Sequence, residues 1–283
     1  MSINILCLGD IIGRPGRQVI MELLPDFIKS RKVDLVVANA ENSAGGSGLT
    51  PAIFDKLLAA GVNVCTMGDH TYRRREVIKL LETSNQLIRP GNFPKESIGK
   101  GWTLAKTAGG VSVAVLQVMG RVYMDPIDSP YPVIDRMLEE VPRDVLVRVV
   151  DFHAEASSEK VGMGWYLDGR VSICFGTHTH TPTADARVLP GGTAFISDVG
   201  MTGPYASVLG RRTERVLKFF TTGMPQMFDV ATGDPRMSGI LAAIDEKTGK
   251  ALSIQRVELH GTEQTTAYDA DDNRPGLYSN VEA

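Results

Sequence analysis

Five short apolar runs within the first 180 residues each stop at a side chain that can bind a metal or move a proton, and this punctuation constrains the chain more than any other feature. "ILCLG" stops at Asp10, "LVVANA" at Glu41-Asn42, "VCTMG" at Asp69-His70, "VRVVDF" at His153, and "SICFG" at Thr177-His178-Thr179-His180. The runs are rich in β-branched residues and separated by stretches of helical spacing, so they read as strands of an α/β fold. In such a sheet, ligands bind outside the carboxyl ends of the strands. One edge therefore receives three carboxylates, one carboxamide and four of the five histidines.

The segments between these ends fit the same plan. "RQVIMELLPDFIKSRK" has helical spacing with a proline inside it that bends or splits the helix. Thr50-Pro51 reads as N-cap and first turn of the helix "PAIFDKLLAAG", and "RRREVIKLLETS" as a charged helix. Residues 102–118 read as a hairpin about Gly109-Gly110. Further helices are expected near 132–141, 157–167 and 210–222. Beyond residue 184 the texture turns to strands and turns, so the sheets are expected to be parallel first and antiparallel later. The glycines of "GDIIGRPGR" lack the G-x-G-x-x-G spacing of a dinucleotide loop; the stretch reads as a turn, with Arg14 a candidate phosphate contact. "SDVGMTGPYASVLG", residues 197–210, reads as a loop that either walls a pocket or merely connects. Residues 1–260 are expected to form one domain, and 261–283 a polar, acidic, flexible tail.

Composition excludes some partners. A net charge of -3 and a pI near 6.0 give no footprint for duplex nucleic acid, although a nucleotide-sized substrate is compatible with them. The first apolar stretch is about six residues long and has no basic lead, too short for a signal peptide or membrane span. Cys7, Cys65 and Cys174 are far apart, each in an apolar run, and read as buried thiols in a reducing compartment. The expectation is a cytoplasmic protein with no membrane partner, for which a homo-oligomer stays open.

Each polar strand end has a plain structural reading on its own. Asp10 or Asp69 can cap a turn or helix, Glu41-Asn42 can be loop polarity, and His153 can be a hydrogen-bonded core residue. Their coincidence argues for a site. Imidazole and carboxylate without thiolate suit zinc, manganese, iron or cobalt. Eight candidate residues exceed the needs of one ion and suit two, which at roughly 3.5–4 Å apart clamp both oxygens of an in-line displacement at phosphorus. Glu41 could bridge them. A metallo-β-lactamase pattern, H-x-H-x-D-H, is opposed by Pro182 and Thr183 in its last two places.

The order Asp, Glu-Asn, G-[N/D]-H, lone His and H-x-H resembles the calcineurin-like metallophosphoesterases. The longer motifs "GDIIGRPGR", "NAENSAGGSGLT", "RPGNFP", "DFHAEASSEK", "GTHTHTPTAD" and "DVGMTGPY" resemble its bacterial YmdB-like branch, from residue 2 to about 259. The resemblance implies a four-layer α/β/β/α sandwich with mixed sheets and two metals at the strand ends. By it, Asp10, Glu41, Asn42 and His180 hold one ion, and Glu41 bridges to a second held by Asp69, His153 and His178. His70 is then the proton donor. It implies a phosphodiesterase that opens 2′,3′-cyclic nucleotides to 3′-nucleotides by attack of a hydroxide shared between iron or manganese ions, with zinc allowed. The rival reading is a metal-bound regulatory or scaffolding protein with weak residual activity. One position departs: the family pattern is G-N-H, whereas "MGDHTY" places Asp69 where asparagine is expected. The added charge either weakens attraction for an anionic substrate and favours a trivalent iron, or orients His70 and raises its basicity.

Overall fold

Side chains alternate along β1 (Ser2–Leu8): Ile3, Ile5 and Cys7 join one apolar cluster, Leu6 and Leu8 another. That is the period of a strand buried on both faces. In the computed structural model, which describes residues 2–263, β1 lies near the middle of a seven-stranded sheet. The order is β2 (Asp10–Ile11), β11 (Met201–Pro204), β12 (Pro235–Asp245), β1, β3 (Leu35–Asn39) and β4 (Val64–Thr66), with β13 (Ala251–His260) also paired to β12. β1, β3 and β4 run parallel, while β12 is antiparallel to both β1 and β13.

The second sheet has six strands: β5 (Trp102–Lys106), β6 (Ser112–Met119), β7 (Val147–His153), β8 (Ile173–Thr177), β10 (Ala194–Ile196) and β9 (Arg187–Val188). β6, β7, β8 and β10 are parallel, with an antiparallel strand at each edge. Ile5, Leu35 and Val37 of the first sheet meet Val113, Val149 and Phe175 of the second in one dry layer. α1 (Gly13–Arg31), α2 (Pro51–Ala59) and α3 (Val77–Thr83) cover the first sheet's outer face through Ile20, Leu24, Ile53 and Leu81. α4 (Pro130–Glu140) and α5 (Ser157–Leu167) cover that of the second through Ile134, Met137, Met163 and Leu167. The expected four-layer α/β/β/α sandwich with mixed sheets is the observed fold. α6 (Thr213–Thr222) contributes only Val216 to the buried set.

Three local expectations need correction. The "GRPGR" stretch is the first turn of α1, not a turn before it; Pro15 fits there because the first helical N–H groups have no intrahelical partner. Pro25 does not split α1, and the bond it forgoes falls at Met21, on the exposed side. "SDVGMTGPY" is not all loop, because β11 lies within it, parallel to β2 and antiparallel to β12. The hairpin about Gly109-Gly110 forms as expected from β5 and β6.

All three cysteines are buried, and burial pushes the Cys65 and Cys174 thiols up to about 12. They are packing residues. Among the described residues no helix is long and apolar enough to cross a membrane. Most of the expected tail, 264–283, lies outside the described residues.

Candidate metal centre

The parallel strands of both sheets deliver their polar ends to one place. From the first sheet come Asp10 on β2, Glu41 and Asn42 after β3, and Asp69 and His70 after β4; from the second come His153 at the end of β7, and His178 and His180 after β8. Glu41, Asp69, His153 and His178 each offer a ligand atom, all within 4.8 Å of one another. His153 Nε2 lies 3.0 Å from Asp69 Oδ1 and 3.3 Å from Glu41 Oε1, and His178 Nδ1 lies 3.1 Å from His153 Nε2. Beside this group, His180 Nε2 is 3.8 Å from Asp10 Oδ1 and 3.3 Å from Asn42 Nδ2, which is itself 3.1 Å from Glu41 Oε1. Glu41 thus touches both sets.

Partners behind each imidazole decide which nitrogen faces the centre. Thr177 Oγ1 donates to Asp151 Oδ1 at 2.7 Å, so it accepts from His153 Nδ1 at 2.9 Å and leaves Nε2 with its lone pair. His180 Nδ1 donates to the Leu209 carbonyl at 3.0 Å, again freeing Nε2. Glu155 Oε2, 3.2 Å from His178 Nε2, holds the proton there and frees Nδ1. With these tautomers His153 Nε2 and His178 Nδ1 face Asp69 Oδ1 and one another, and His180 Nε2 faces Asn42 Nδ2 and Asp10 Oδ1. Imidazole and carboxylate lone pairs set face to face call for positive charge between them, which a proton on His153 or a metal ion supplies.

The electrostatics show the same demand for positive charge. Burial opposes a charge on His153, yet Glu41 and Asp69 outweigh it and raise its basicity well above the usual imidazole range. Burial also pushes Asp10 and Asp69 up, but His180 and His153 hold Asp10 below the usual carboxylate range, and His153, His178 and His70 hold Asp69 well below it. Asp10 Oδ1 is buried without a hydrogen-bond partner, which a metal ion would supply. A Cβ on Gly68 would collide with Glu41 Oε2 and His153 Nε2, so any larger residue would fill the centre. The donor set and these spaces fit metal ions. His178 and His180 hold left-handed backbone at φ 96° and 64°, as does Leu209 at 51°. Such strain in non-glycine residues collects at functional sites.

His70 stands to one side. Its Nδ1 lies 2.7 Å from Asn42 Oδ1 and its Nε2 3.4 Å from Asp69 Oδ2, and its main-chain N–H donates to Glu41 Oε2 at 3.0 Å. Asp69 thus directs one oxygen at the histidine pair and the other at His70. Arg14 lies in the first turn of α1. The loop after Asn42 is tied by other guanidinium groups: Arg17 donates to the Ser43 carbonyl, Arg74 to Ala44 and Ser47, and Arg211 to Gly46.

Sequence reasoning missed the supports: Thr177, Asp151, Glu155 and the Leu209 carbonyl. Asp151, whose carboxyl burial pushes up to about 6, lies two residues before His153 and so on the same face of β7. That spacing was the available signal.

A family model described as "YmdB-like protein" matches residues 6–257. The chain belongs to the YmdB-like family. This YmdB-like chain is 43% identical over 254 residues to the 2′,3′-cyclic-nucleotide 2′-phosphodiesterase of Bacillus subtilis (strain 168), covering 90% of the chain and 96% of that relative. Among solved structures, a hypothetical protein from Thermus thermophilus superposes with a TM-score of 0.86 at 40% identity, covering 92% of the chain and all of that protein. A structure described as a novel phosphatase from Mycoplasma pneumoniae also gives 0.86, at 32% identity, covering 92% of the chain and 94% of that one.

Proposed function

We propose that the chain is a metal-dependent phosphodiesterase that hydrolyses 2′,3′-cyclic nucleotides to 3′-nucleotides at this centre. The observation that carries the reading is the convergence of three imidazoles and three carboxylates on one place, in a chain 43% identical to a relative that bears that activity in its name. Asp10, Asn42 and His180 would hold one ion and Asp69, His153 and His178 the other, with Glu41 reaching both; iron and manganese suit these donors best. Asn42 does so through its amide oxygen, which requires exchanging its two amide ends. When bound, the ions neutralise charge on the phosphoryl oxygens and acidify a water for attack on phosphorus. The departing ribose oxygen needs a proton, which His70 supplies from Nε2 while Asn42 fixes its ring through Nδ1.

The test is metal removal. Chelated protein should lose activity towards 2′,3′-cyclic nucleotides and bis-aryl phosphates, and regain it with close to two manganese or iron ions per chain. Full turnover in demonstrably metal-free protein would end this reading.

Asp69 gives a second, independent prediction. Two divalent ions set against Asp10, Glu41 and Asp69 leave about one unit of positive charge for the substrate, where asparagine would leave about two. Asp69→Asn should therefore raise the manganese-supported rate several-fold and weaken the preference for iron. Because Asp69 Oδ2 also lies 3.4 Å from His70 Nε2, the opposite outcome has a physical cause too. Lower activity at alkaline pH would mean that the carboxylate mainly sustains the His70 proton. Rate against pH for both proteins, with each metal, separates the two.

A further inference from the structure

Two motif residues stand outside the site described. Lys160 of "DFHAEASSEK" and Asp198 of "SDVGMTGPY" are 2% and 1% exposed, and Lys160 Nζ lies 2.5 Å from Asp198 Oδ2. The same Oδ2 accepts the Thr179 hydroxyl at 2.7 Å and the Thr179 main-chain N–H at 3.2 Å, while Oδ1 accepts the Gly200 N–H at 2.8 Å. The Asp198 main chain continues the grip, since its N–H donates to Thr183 Oγ1 at 3.0 Å and its carbonyl accepts the Thr183 N–H at 3.0 Å. Thr179 sits between His178 and His180, both in left-handed backbone. The lysine reaches Asp198 past Gly176, where a Cβ would come within 3.2 Å of its Cδ and collide with the Ser197 carbonyl.

We infer that the Lys160–Asp198 pair is a positioning device that clamps Thr179 and so holds the imidazoles of His178 and His180 on the metal centre. A buried ion pair is a poor device for stability alone, because well-packed apolar residues do as well. What methionine could not do in place of Lys160 is give a partner to the Asp198 charge in a dry place. Only a carboxylate there can accept from Thr179 and the lysine on one oxygen and from the Gly200 N–H on the other; an asparagine would turn a donor on one of them. The grip spans the one residue whose placement sets the direction of both neighbours. Partners of this kind, standing behind metal ligands, typically change metal affinity about 10–100-fold when removed.

The inference rests on the functional reading above, and the experiment keeps the two apart. Manganese affinity of the chelated full chain, its melting temperature and the exchange rate of the Thr179 amide proton are measured on the same preparations. Asp198→Asn strands a buried ammonium, so melting should fall by about 10 °C and manganese affinity by roughly 10–100-fold. Adding Lys160→Met should return the melting temperature towards wild type but leave affinity low, because an amide cannot accept from Thr179 and from the Gly200 N–H at once and the clamp stays incomplete. Thr179→Val should melt near wild type and lose about tenfold in affinity. The Thr179 amide should exchange at least about tenfold faster in both Asp198 variants. A merely stabilising pair would make affinity follow melting temperature throughout. The inference is overturned if the double variant recovers both properties, or if Thr179→Val binds manganese as wild type does. If Asp198→Asn does not fold, those two variants still decide. A wild-type chain that takes up no manganese defeats the functional reading, and amide exchange then tests the clamp by itself.

Discussion

Glutamine in place of Glu41 is expected to remove phosphodiesterase activity while leaving the metal-free protein folded. Glu41 is buried, with Oε2 accepting the His70 N–H at 3.0 Å and Oε1 3.3 Å from His153 Nε2. Glutamine has the same shape: its oxygen can keep the His70 bond, and its amide N–H₂ can donate to a neutral His153 Nε2 and, with the Asn42 amide ends exchanged, to Asn42 Oδ1. Replacing a buried charge pair by a neutral bond of similar volume is often close to neutral for stability. The loss falls on metal binding, because Glu41 is the side chain that touches both ligand sets. Losing about 4 kcal/mol of metal-derived stabilisation of the transition state lowers the rate about 10³-fold. Melting curves give a readout without turnover. Ligand at 100 times its dissociation constant stabilises a protein by about 2.7 kcal/mol, or roughly 5–10 °C here. Wild-type protein should gain that with manganese, and Glu41→Gln half of it or less. A variant that keeps two ions and more than about a tenth of the rate would show that Glu41 does not join the two sets.

The contrast between Glu41 and Lys160 explains what the sequence disclosed. Asp10, Glu41, Asp69, His153 and His178 each follow a run of apolar β-branched residues, and a sheet sends such positions to one edge whatever its strand order. Their convergence was therefore legible before any topology was known, and so was the α/β character, from strand-like runs alternating with helical spacing; the four layers came from the family resemblance. The supports were not. Lys160 lies in a helix and reads as surface charge until its packing against β8 is known. Thr177 is an ordinary strand residue until Asp151, from the neighbouring strand, fixes the direction of its hydroxyl. The Leu209 carbonyl has no side-chain signal at all. Sequence discloses which chemistry reaches the edge; the partners that choose a tautomer come from register between strands, and pattern alone does not carry register. Asp69 fell between these cases. Its residue type was plain, but that its two oxygens serve both the histidine pair and His70 depends on a turn whose geometry the sequence leaves open.

Alanine in place of His70 should cost about 10²–10⁴-fold with a 2′,3′-cyclic nucleotide and far less with an aryl phosphodiester. The difference lies in the leaving group. Ribose oxygen departs as a strongly basic alkoxide unless protonated, whereas a nitrophenolate leaves without help. Geometry predicts that the metals stay. His70 is linked to Glu41 through its main-chain N–H, which alanine retains, and its ring is 24% exposed, so truncation opens a space to water instead of a dry cavity. The bond between Nδ1 and the Asn42 amide is lost, but water can replace it. Only the Nε2 side, facing Asp69 Oδ2 at 3.4 Å, has no substitute as a proton source. A series of aryl phosphodiesters of graded leaving-group pKa gives the sharpest form of the test. The wild-type rate should vary shallowly with leaving-group pKa and the His70→Ala rate steeply, the two lines meeting at the best leaving groups. Parallel lines would mean that His70 acts on attack or on binding. Loss of an ion from the alanine variant would mean instead that the His70 ring helps to hold the ligands in place, and the proton would have to come from elsewhere.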